Sequence, residues 1–251
     1  MVRRRVILLL LAFGVAVCRA ADPVSPQRLV LFDELAPGWR ARWSEQGLFS
    51  RPTLYSVVTE AERPALLANS VQANSGLIRR LPSHPPPRGR LSWRWKVLAP
   101  LAGIPDGRAR AGDDYAARVF VVFEPLWLPL RTRAINYAWS AKEPVGATYA
   151  SPYTRNVGLI VLRSGSTEAG RWCEEARDVA ADYRRFFGEL PRELTAVAVL
   201  VDNDNPGGRA NPSSAVGAGS ENSFRGERFF PRSCLRGKLI FWSDVVPDAP
   251  L

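Results

Sequence analysis

Short runs of strand-forming residues, separated by glycine, proline, asparagine and aspartate, limit what this chain can fold into. In "LSWRWKV" (91–97), apolar residues alternate with Ser, Arg and Lys, which is the period of a strand with one buried face. Residues 119–123 and 195–201 are instead almost continuously apolar, which is typical of strands buried on both faces. The runs "TLYSVVTE" (53–60) and "GLIRRL" (76–81) are further predicted strands. The pattern predicts a mainly β protein in which two sheets pack together.

One segment has helical periodicity. In "RWCEEARDVAADYRRFFG" (171–188), apolar residues recur at helical spacing, and Gly188 is a natural stop. A single packed α-helix among many strands indicates a jelly-roll-like β-sandwich rather than repeated β-α-β units. We therefore expect one sandwich domain over residues 21–251, with the partly polar, Gly/Ser-rich segment 211–237 as an inserted or irregular loop.

Residues 1–20 have the composition of a signal peptide. Three arginines precede an apolar run, and the small residue Ala20 follows it as a cleavage position. A lipoprotein signal and twin-arginine export are the alternatives that this segment leaves open. No later stretch approaches the roughly 20 apolar residues of a spanning helix. We expect an exported protein, periplasmic or secreted, with no transmembrane segment after signal cleavage.

Cleavage also changes the charge and the cysteine content. Residues 1–20 hold four arginines and no acid, so the net charge of the mature chain falls from +10 to +6. The remaining arginines form no basic tract, and no nucleic-acid partner is expected. Cys173 and Cys234 remain after cleavage. In an oxidising compartment these two could form a disulfide.

The common catalytic constellations find little support in the sequence. His84 is the only histidine and lies just before a run of prolines. This disfavours a Ser-His-Asp triad, a Cys-His pair and a multi-histidine zinc site. No P-loop and no GxSxG motif occurs. Catalysis would have to depend on carboxylates, tyrosines or arginines.

Two acidic pairs lie at the ends of strands that we expect to be central. Asp113 and Asp114 precede one such strand, and Asp202 and Asp204 follow another. Paired carboxylates are the minimum for glycoside hydrolysis, so these four are the catalytic candidates. Aspartate is also common at strand ends because its side chain bonds nearby backbone groups, and this structural interpretation is the stronger one.

The loop that begins at Asp202 matches a calcium-binding loop only in part. Asp202, Asp204 and Gly207 fit the first, third and sixth positions of an EF-hand, but Pro206 and Ser213 occupy two ligand positions. We therefore expect no metal and no cofactor, while a calcium site shared between loops stays open.

Aromatic residues offer another kind of site. Tyrosine and tryptophan rings can stack on a sugar while Asn, Asp and Arg bond its hydroxyls. The tryptophans expected in the core are Trp93, Trp95, Trp139 and Trp172. The tyrosines expected to be exposed are Tyr137, Tyr149 and Tyr153. The candidate ligand-binding residues are Asp114, Arg118, Asn136, Tyr137, Tyr153, Asn156, Asp202 and Asp204.

Six motifs follow one another in a fixed order within residues 30–210. They are "LSWRWKV" (91–97), "AGDDYAARVFVVF" (111–123), "INYAWS" (135–140), "SPYTRNV" (151–157), "DVAADYRRFFGELP" (178–191) and "VDNDNPGGRA" (201–210). In this order the chain resembles the bacterial, exported domain-of-unknown-function family numbered 3047. The resemblance implies a secreted single-domain protein with a sandwich of the carbohydrate-binding-module or galactose-binding type. It implies no activity.

The chain departs from the family pattern after Ala210. The resemblance implies that a final strand follows almost at once, but here residues 211–237 come before "KLIFWSDVV" (238–246). Two explanations stay open: an insertion that displaces the final strand, or a change of reading frame.

The residues and the resemblance favour a non-catalytic protein that binds a glycan or another envelope ligand. One alternative is a carbohydrate-active enzyme that uses Asp113 or Asp114 together with Asp202 or Asp204. The other is a structural envelope protein without a small ligand. The sequence indicates no oligomeric state.

Overall fold

The computed structural model describes residues 38–47, 52–60, 63–70, 73–81, 90–98, 101, 106–123 and 132–202, and the backbone of 238–246. The strands are β1 (Ser44–Gly47), β2 (Leu54–Glu60), β3 (Arg63–Asn69), β4 (Asn74–Arg80), β5 (Arg90–Val97), β6 (Tyr115–Phe123), β7 (Arg133–Ser140), β8 (Thr148–Ser151), β9 (Thr154–Ser164), β10 (Cys173–Asp178), β11 (Leu194–Asp202) and β12 (Lys238–Val246). One α-helix, α1 (Val179–Phe187), and two short 3-10 helices, Trp39–Arg42 and Arg110–Gly112, complete the described elements.

The strands form two sheets. The seven-stranded sheet has the order β1-β4-β11-β6-β7-β9-β8, and the five-stranded sheet has the order β10-β5-β12-β3-β2. Neighbouring strands are antiparallel in both sheets, except for the parallel pair β7 and β9. The prediction of a mainly β, jelly-roll-like sandwich with one packed α-helix is confirmed.

The core lies between the sheets and is rich in aromatic side chains. Trp93 and Trp95 of β5 are fully buried, as the alternation of this strand predicts. Their rings contact those of β7 across the interface: Trp93 lies 5.2 Å from Tyr137, and Trp95 lies 5.8 Å from Trp139, between ring centroids. Aromatic packing of this kind holds the two sheets face to face.

The helix is shorter than its periodicity predicts. Residues 173–178 form strand β10, which pairs antiparallel with β5, and the helix begins only after Asp178. Asp178 caps it, because its Oδ1 accepts a hydrogen bond from the backbone N–H of Ala181 at 2.9 Å. The prediction of one helix over 171–188 was wrong for its first half, where pairing with an edge strand outweighs helical spacing. On α1 itself, Val179 and Tyr183 pack against the core.

Several predictions fall outside the described residues. These are the signal peptide at 1–20, Asp204, Cys234 and the loop at 211–237. The segment 238–246, for which a displaced final strand was one of the two explanations left open, forms β12, which pairs with β3 and β5. Among the described residues, no helix is long and apolar enough to cross a membrane.

Candidate functional site

The alternation of β6 and β7 defines the outer face of the seven-stranded sheet. Val119 of β6 and Tyr137 of β7 belong to the core between the sheets. Arg118 and Asn136 precede them by one residue and therefore lie on the opposite, outer face. The register pairs Arg118 with Ala138, two residues beyond Asn136. Arg118 and Asn136 are thus diagonal neighbours on one face of the sheet.

A buried ion pair lies on this face at the start of β6. Arg118 Nη1 donates to Asp113 Oδ2 at 3.2 Å, and Nη2 donates to the backbone carbonyl of Asp113. Both residues are buried, and the Arg118 guanidinium lies 4.4 Å from the ring centroid of Tyr115. Burial raises the pKa of the Asp113 carboxyl, and the neighbouring Arg118 opposes part of that rise. The Asp113 carboxylate is therefore engaged in an ion pair with Arg118.

Asp114 and Asn136 are also enclosed. The exposed fraction is 1% for Asp114 and 2% for Asn136. Within the described part of the chain, Asn136 Oδ1 has no hydrogen-bond partner. Neither side chain is accessible to a sugar in this conformation, so the predicted ligand contacts of Asp114 and Asn136 would require a rearrangement.

A hydrogen-bonded layer joins the loop before β6 to strand β8. The Tyr115 hydroxyl donates to the carbonyl of Gly107 at 3.2 Å, and the Tyr115 and Tyr149 hydroxyl oxygens are 3.0 Å apart. The N–H of Gly107 donates to Glu143 Oε1 at 3.2 Å. A Cβ at residue 107 would lie 2.8 Å from the Tyr115 hydroxyl oxygen, so the close approach of this loop requires glycine.

Both phenols of this layer stay protonated at neutral pH. Burial raises the pKa of the Tyr115 hydroxyl, and its hydrogen bond with Tyr149 raises it further. Burial also raises the pKa of Tyr149, although the hydrogen bond with Tyr115 acts in the opposite direction. The two tyrosines can donate and accept hydrogen bonds, but neither is suited to act as a general base.

Two arginine-tyrosine pairs lie on the surface above this layer, and we call Arg108, Arg110, Tyr149 and Tyr153 the arginine-tyrosine corner. The Arg108 guanidinium lies 5.4 Å from the ring centroid of Tyr149, and that of Arg110 lies 5.3 Å from the ring centroid of Tyr153. Both arginines are exposed, Tyr149 is half-buried, and Tyr153 is 55% exposed.

Two hydrogen bonds hold the second pair in place. Arg110 Nε donates to the carbonyl of Pro152 at 3.4 Å, and the Tyr153 hydroxyl donates to the carbonyl of Arg110 at 3.5 Å. Pro152 and Tyr153 form the turn between β8 and β9. The corner is therefore built where the loop before β6 meets this turn.

Tyr137 lies in the core and not on the surface. It is fully buried, and its hydroxyl donates to Asp182 Oδ2 at 2.7 Å. Arg177 Nε donates to the same oxygen at 2.9 Å. The prediction that Tyr137 is exposed was wrong, because the two-residue alternation of β7 turns it toward the five-stranded sheet. It holds α1 on the sandwich and cannot contact a surface ligand.

The remaining candidates are scattered. Asn156 is half-buried, and its backbone N–H donates to Thr154 Oγ1 at 3.1 Å. The backbone of Asp202 ends β11 opposite Tyr115 and Asn74, and Asp204 lies outside the described residues. The described residues contain no group of three acids, histidines or cysteines that could hold a metal ion.

The possible disulfide stays a prediction. Cys173 is buried at the start of β10, where burial raises the pKa of its thiol. Cys234 lies outside the described residues, so its distance from Cys173 is not defined.

Sequence reasoning missed Arg108, Arg110 and Glu143. No local pattern marks them, since Arg108 lies in an irregular loop and Arg110 begins a short 3-10 helix. The two arginines meet their tyrosine partners 41 and 43 positions later along the chain. The one available signal was the polar, turn-rich setting of Tyr149 and Tyr153, which were expected to be exposed.

The solved structures to which this structure is similar at low identity include the following two. One is a family 11 carbohydrate-binding module from Clostridium thermocellum in complex with a mixed-linked tetrasaccharide: 8% identity, TM-score 0.41, covering 90% of this chain and 99% of the module. The other is the xyloglucanase domain of NopAA from Sinorhizobium fredii in complex with cellobiose: 9% identity, TM-score 0.39, covering 82% of this chain and 93% of that domain. Both TM-scores are below 0.5, so the function proposed below depends on this chain's own residues.

Sequence comparison identifies the family. No curated protein matches this sequence. A family model matches residues 41–214, and this match includes all six motifs that carried the resemblance. The chain belongs to the family described as "Protein of unknown function (DUF3047)".

Proposed function

We propose that this protein binds a glycan at the arginine-tyrosine corner without catalysing a reaction on it. The observation that carries the proposal is the exposure of Tyr153, which is 55% exposed while Arg110 stacks on its ring and two hydrogen bonds hold the pair. An exposed, positioned aromatic ring is the usual platform for the apolar face of a pyranose.

The second pair extends this platform. Tyr149 lies four residues before Tyr153, and Arg108 two residues before Arg110. The two guanidinium groups come from the segment before β6, and the two rings come from β8 and the turn that follows it. Sugar hydroxyls need donors and acceptors around the ring. The guanidinium groups supply donors, and the half-buried Glu143 supplies an acceptor nearby.

The buried carboxylates favour binding over hydrolysis. Glycoside hydrolysis needs two carboxyl groups that reach opposite sides of the scissile bond. Asp113 is engaged by Arg118, and Asp114 is 1% exposed. These contacts support a structural role for both acids, and the carboxylate-dependent enzyme is the less favoured function.

We further propose that binding takes place outside the cytoplasm. The support is the basic, apolar and small-residue order of residues 1–20, which is that of an export signal. An envelope or extracellular glycan is then the available ligand. Detection of the mature chain, lacking residues 1–20, in the exported fraction would support this location.

A glycan array with the purified mature chain tests the binding proposal. We expect saturable binding to at least one oligosaccharide. Tyr153→Ala should weaken it by about tenfold, because the stacking surface is lost. Tyr153→Phe keeps the ring and is the matched control, with affinity close to that of the parent chain. An array without saturable binding, or binding that Tyr153→Ala leaves unchanged, would refute the proposed function.

A further inference from the structure

We infer that the glycan carries negative charge, as a carboxylate or a phosphate on its sugars. This inference depends on the proposed function, because it concerns the same arginine-tyrosine corner. It is carried by two exposed guanidinium groups that no acid neutralises within the described part of the chain.

The corner arginines differ in this respect from several other arginines of the sandwich. Arg94 pairs with Glu174, and Arg163 with Glu168 and Glu175. Further pairs are Arg40 with Glu45, Arg133 with Glu189, and Arg177 with Asp182. Arg108 and Arg110 have no carboxylate oxygen within 4.0 Å among the described residues, so their charge is available to a ligand.

Two acids close to the corner are engaged with the backbone. Asp106 Oδ1 accepts from the N–H of Arg108 at 2.9 Å, and Glu143 Oε1 accepts from the N–H of Gly107 at 3.2 Å. Both contacts shape the loop, and both acids keep their negative charge. Neither Asp106 nor Glu143 forms an ion pair with Arg108 or Arg110, so the two guanidinium groups can contact an anion directly.

The donors that remain suit an oxyanion. Among the described residues, only Nε of Arg110 is used in a hydrogen bond, so its two terminal nitrogens remain available. Within the described ranges, the Arg108 guanidinium makes its ring contact with Tyr149 and no hydrogen bond. A guanidinium fork binds the two oxygens of a carboxylate or phosphate at once, which a neutral hydroxyl cannot match. With the tyrosines beside it, the corner can hold a sugar ring and its charged group together.

Isothermal titration with two matched pairs of saccharides tests the inference. One pair is hexagalacturonate and its carboxyl-reduced form, and the other is phosphorylated maltohexaose and maltohexaose. In at least one pair, we expect the charged member to bind about tenfold more tightly at low salt. The pair that shows the preference identifies carboxylate or phosphate as the group. Raising the salt concentration should reduce the preference, because exposed charges are screened.

Variants separate a local preference from a general effect of positive charge. Arg108→Ala combined with Arg110→Ala should abolish the preference for the charged member. Arg184→Ala combined with Arg185→Ala is the matched control, since it removes two exposed arginines from α1 and should keep the preference. An equal loss in both double variants would overturn the inference.

The remaining outcomes distinguish the inference from the proposed function. If charged and neutral members bind equally and Tyr153→Ala weakens both, the charge preference is refuted and glycan binding stands. If no saccharide of the two pairs or of the array binds saturably, both proposals are refuted.

Discussion

Arg118 donates to Asp113 Oδ2 at 3.2 Å, across only five positions of the chain and with both residues buried. The pair fixes the loop that leads into β6, and the same loop carries Arg108 and Arg110 to the surface. Asp113, which the sequence marked as a catalytic candidate, thus helps to hold the loop that carries Arg108 and Arg110.

The pH dependence of the unfolding free energy should reveal the burial of the Asp113 carboxyl group. The pKa of Asp113 in the folded chain is raised above its ordinary value of 3.8. Between the two pKa values the folded state binds more protons than the unfolded state, so the unfolding free energy falls as pH rises through this window. Asp113→Asn lacks the titrating group. In chemical denaturation from pH 3 upward, the parent chain should lose stability relative to Asp113→Asn across the window.

Asp113→Ala should destabilise the folded chain more than Asp113→Asn does. It removes one hydrogen-bond acceptor of Arg118, which should cost about 2 kcal/mol of unfolding free energy at neutral pH. Asp113→Asn keeps an acceptor and should cost less. If the parent chain became more stable than Asp113→Asn as pH rises through the window, the burial argument would be contradicted.

Tyr137→Phe tests the assignment of Tyr137 to the core. The change removes the hydroxyl that donates to Asp182 at 2.7 Å, and should lower the unfolding free energy by about 1 kcal/mol. Glycan affinity should not change, because the fully buried ring is remote from any surface ligand. Urea denaturation and titration of the same preparation measure both. A loss of glycan affinity without a loss of stability would contradict this assignment and would indicate that Tyr137 contacts the ligand.

Gly107→Ala should disturb the arginine-tyrosine corner by displacing the loop that carries Arg108 and Arg110. The new Cβ would lie 2.8 Å from the Tyr115 hydroxyl oxygen and 3.1 Å from that of Tyr149. Overpacking of this kind costs about 1–3 kcal/mol, and we expect a matching loss of glycan affinity as the loop shifts. The cost should shrink in a Tyr115→Phe background, which removes the closer oxygen. A double-mutant cycle measures this coupling, and purely additive costs would argue against the clash.

Asp178→Ala should lower the unfolding free energy by about 1 kcal/mol, because the N-cap acceptor of α1 is lost. Asp178→Asn retains an acceptor and should be nearly neutral. Thermal and urea denaturation of the two variants give the comparison. Equal destabilisation by both would mean that the negative charge at this helix terminus matters more than the cap.

Strand positions were well predicted where periodicity is strong. The alternation of residues 91–97 assigned Trp93 and Trp95 to the buried face, and the apolar runs of β6 and β11 predicted their central position, where β6 lies between β11 and β7. Residues 173–178 were misassigned, because their apolar residues fit helical spacing while pairing with β5 makes them a strand.

The sequence by itself determined the class of fold, because one or two buried faces leave a period of two or a continuous apolar run in any strand. It also determined the family, through the order of its motifs. Only the tertiary structure decided which polar residues reach the surface. The face on which Tyr137 lies depends on which side of β7 meets the second sheet, and Arg110 reaches Tyr153 only because two distant segments fold together. Contacts between distant residues leave no local pattern, so the arginine-tyrosine corner could be found only in the folded chain.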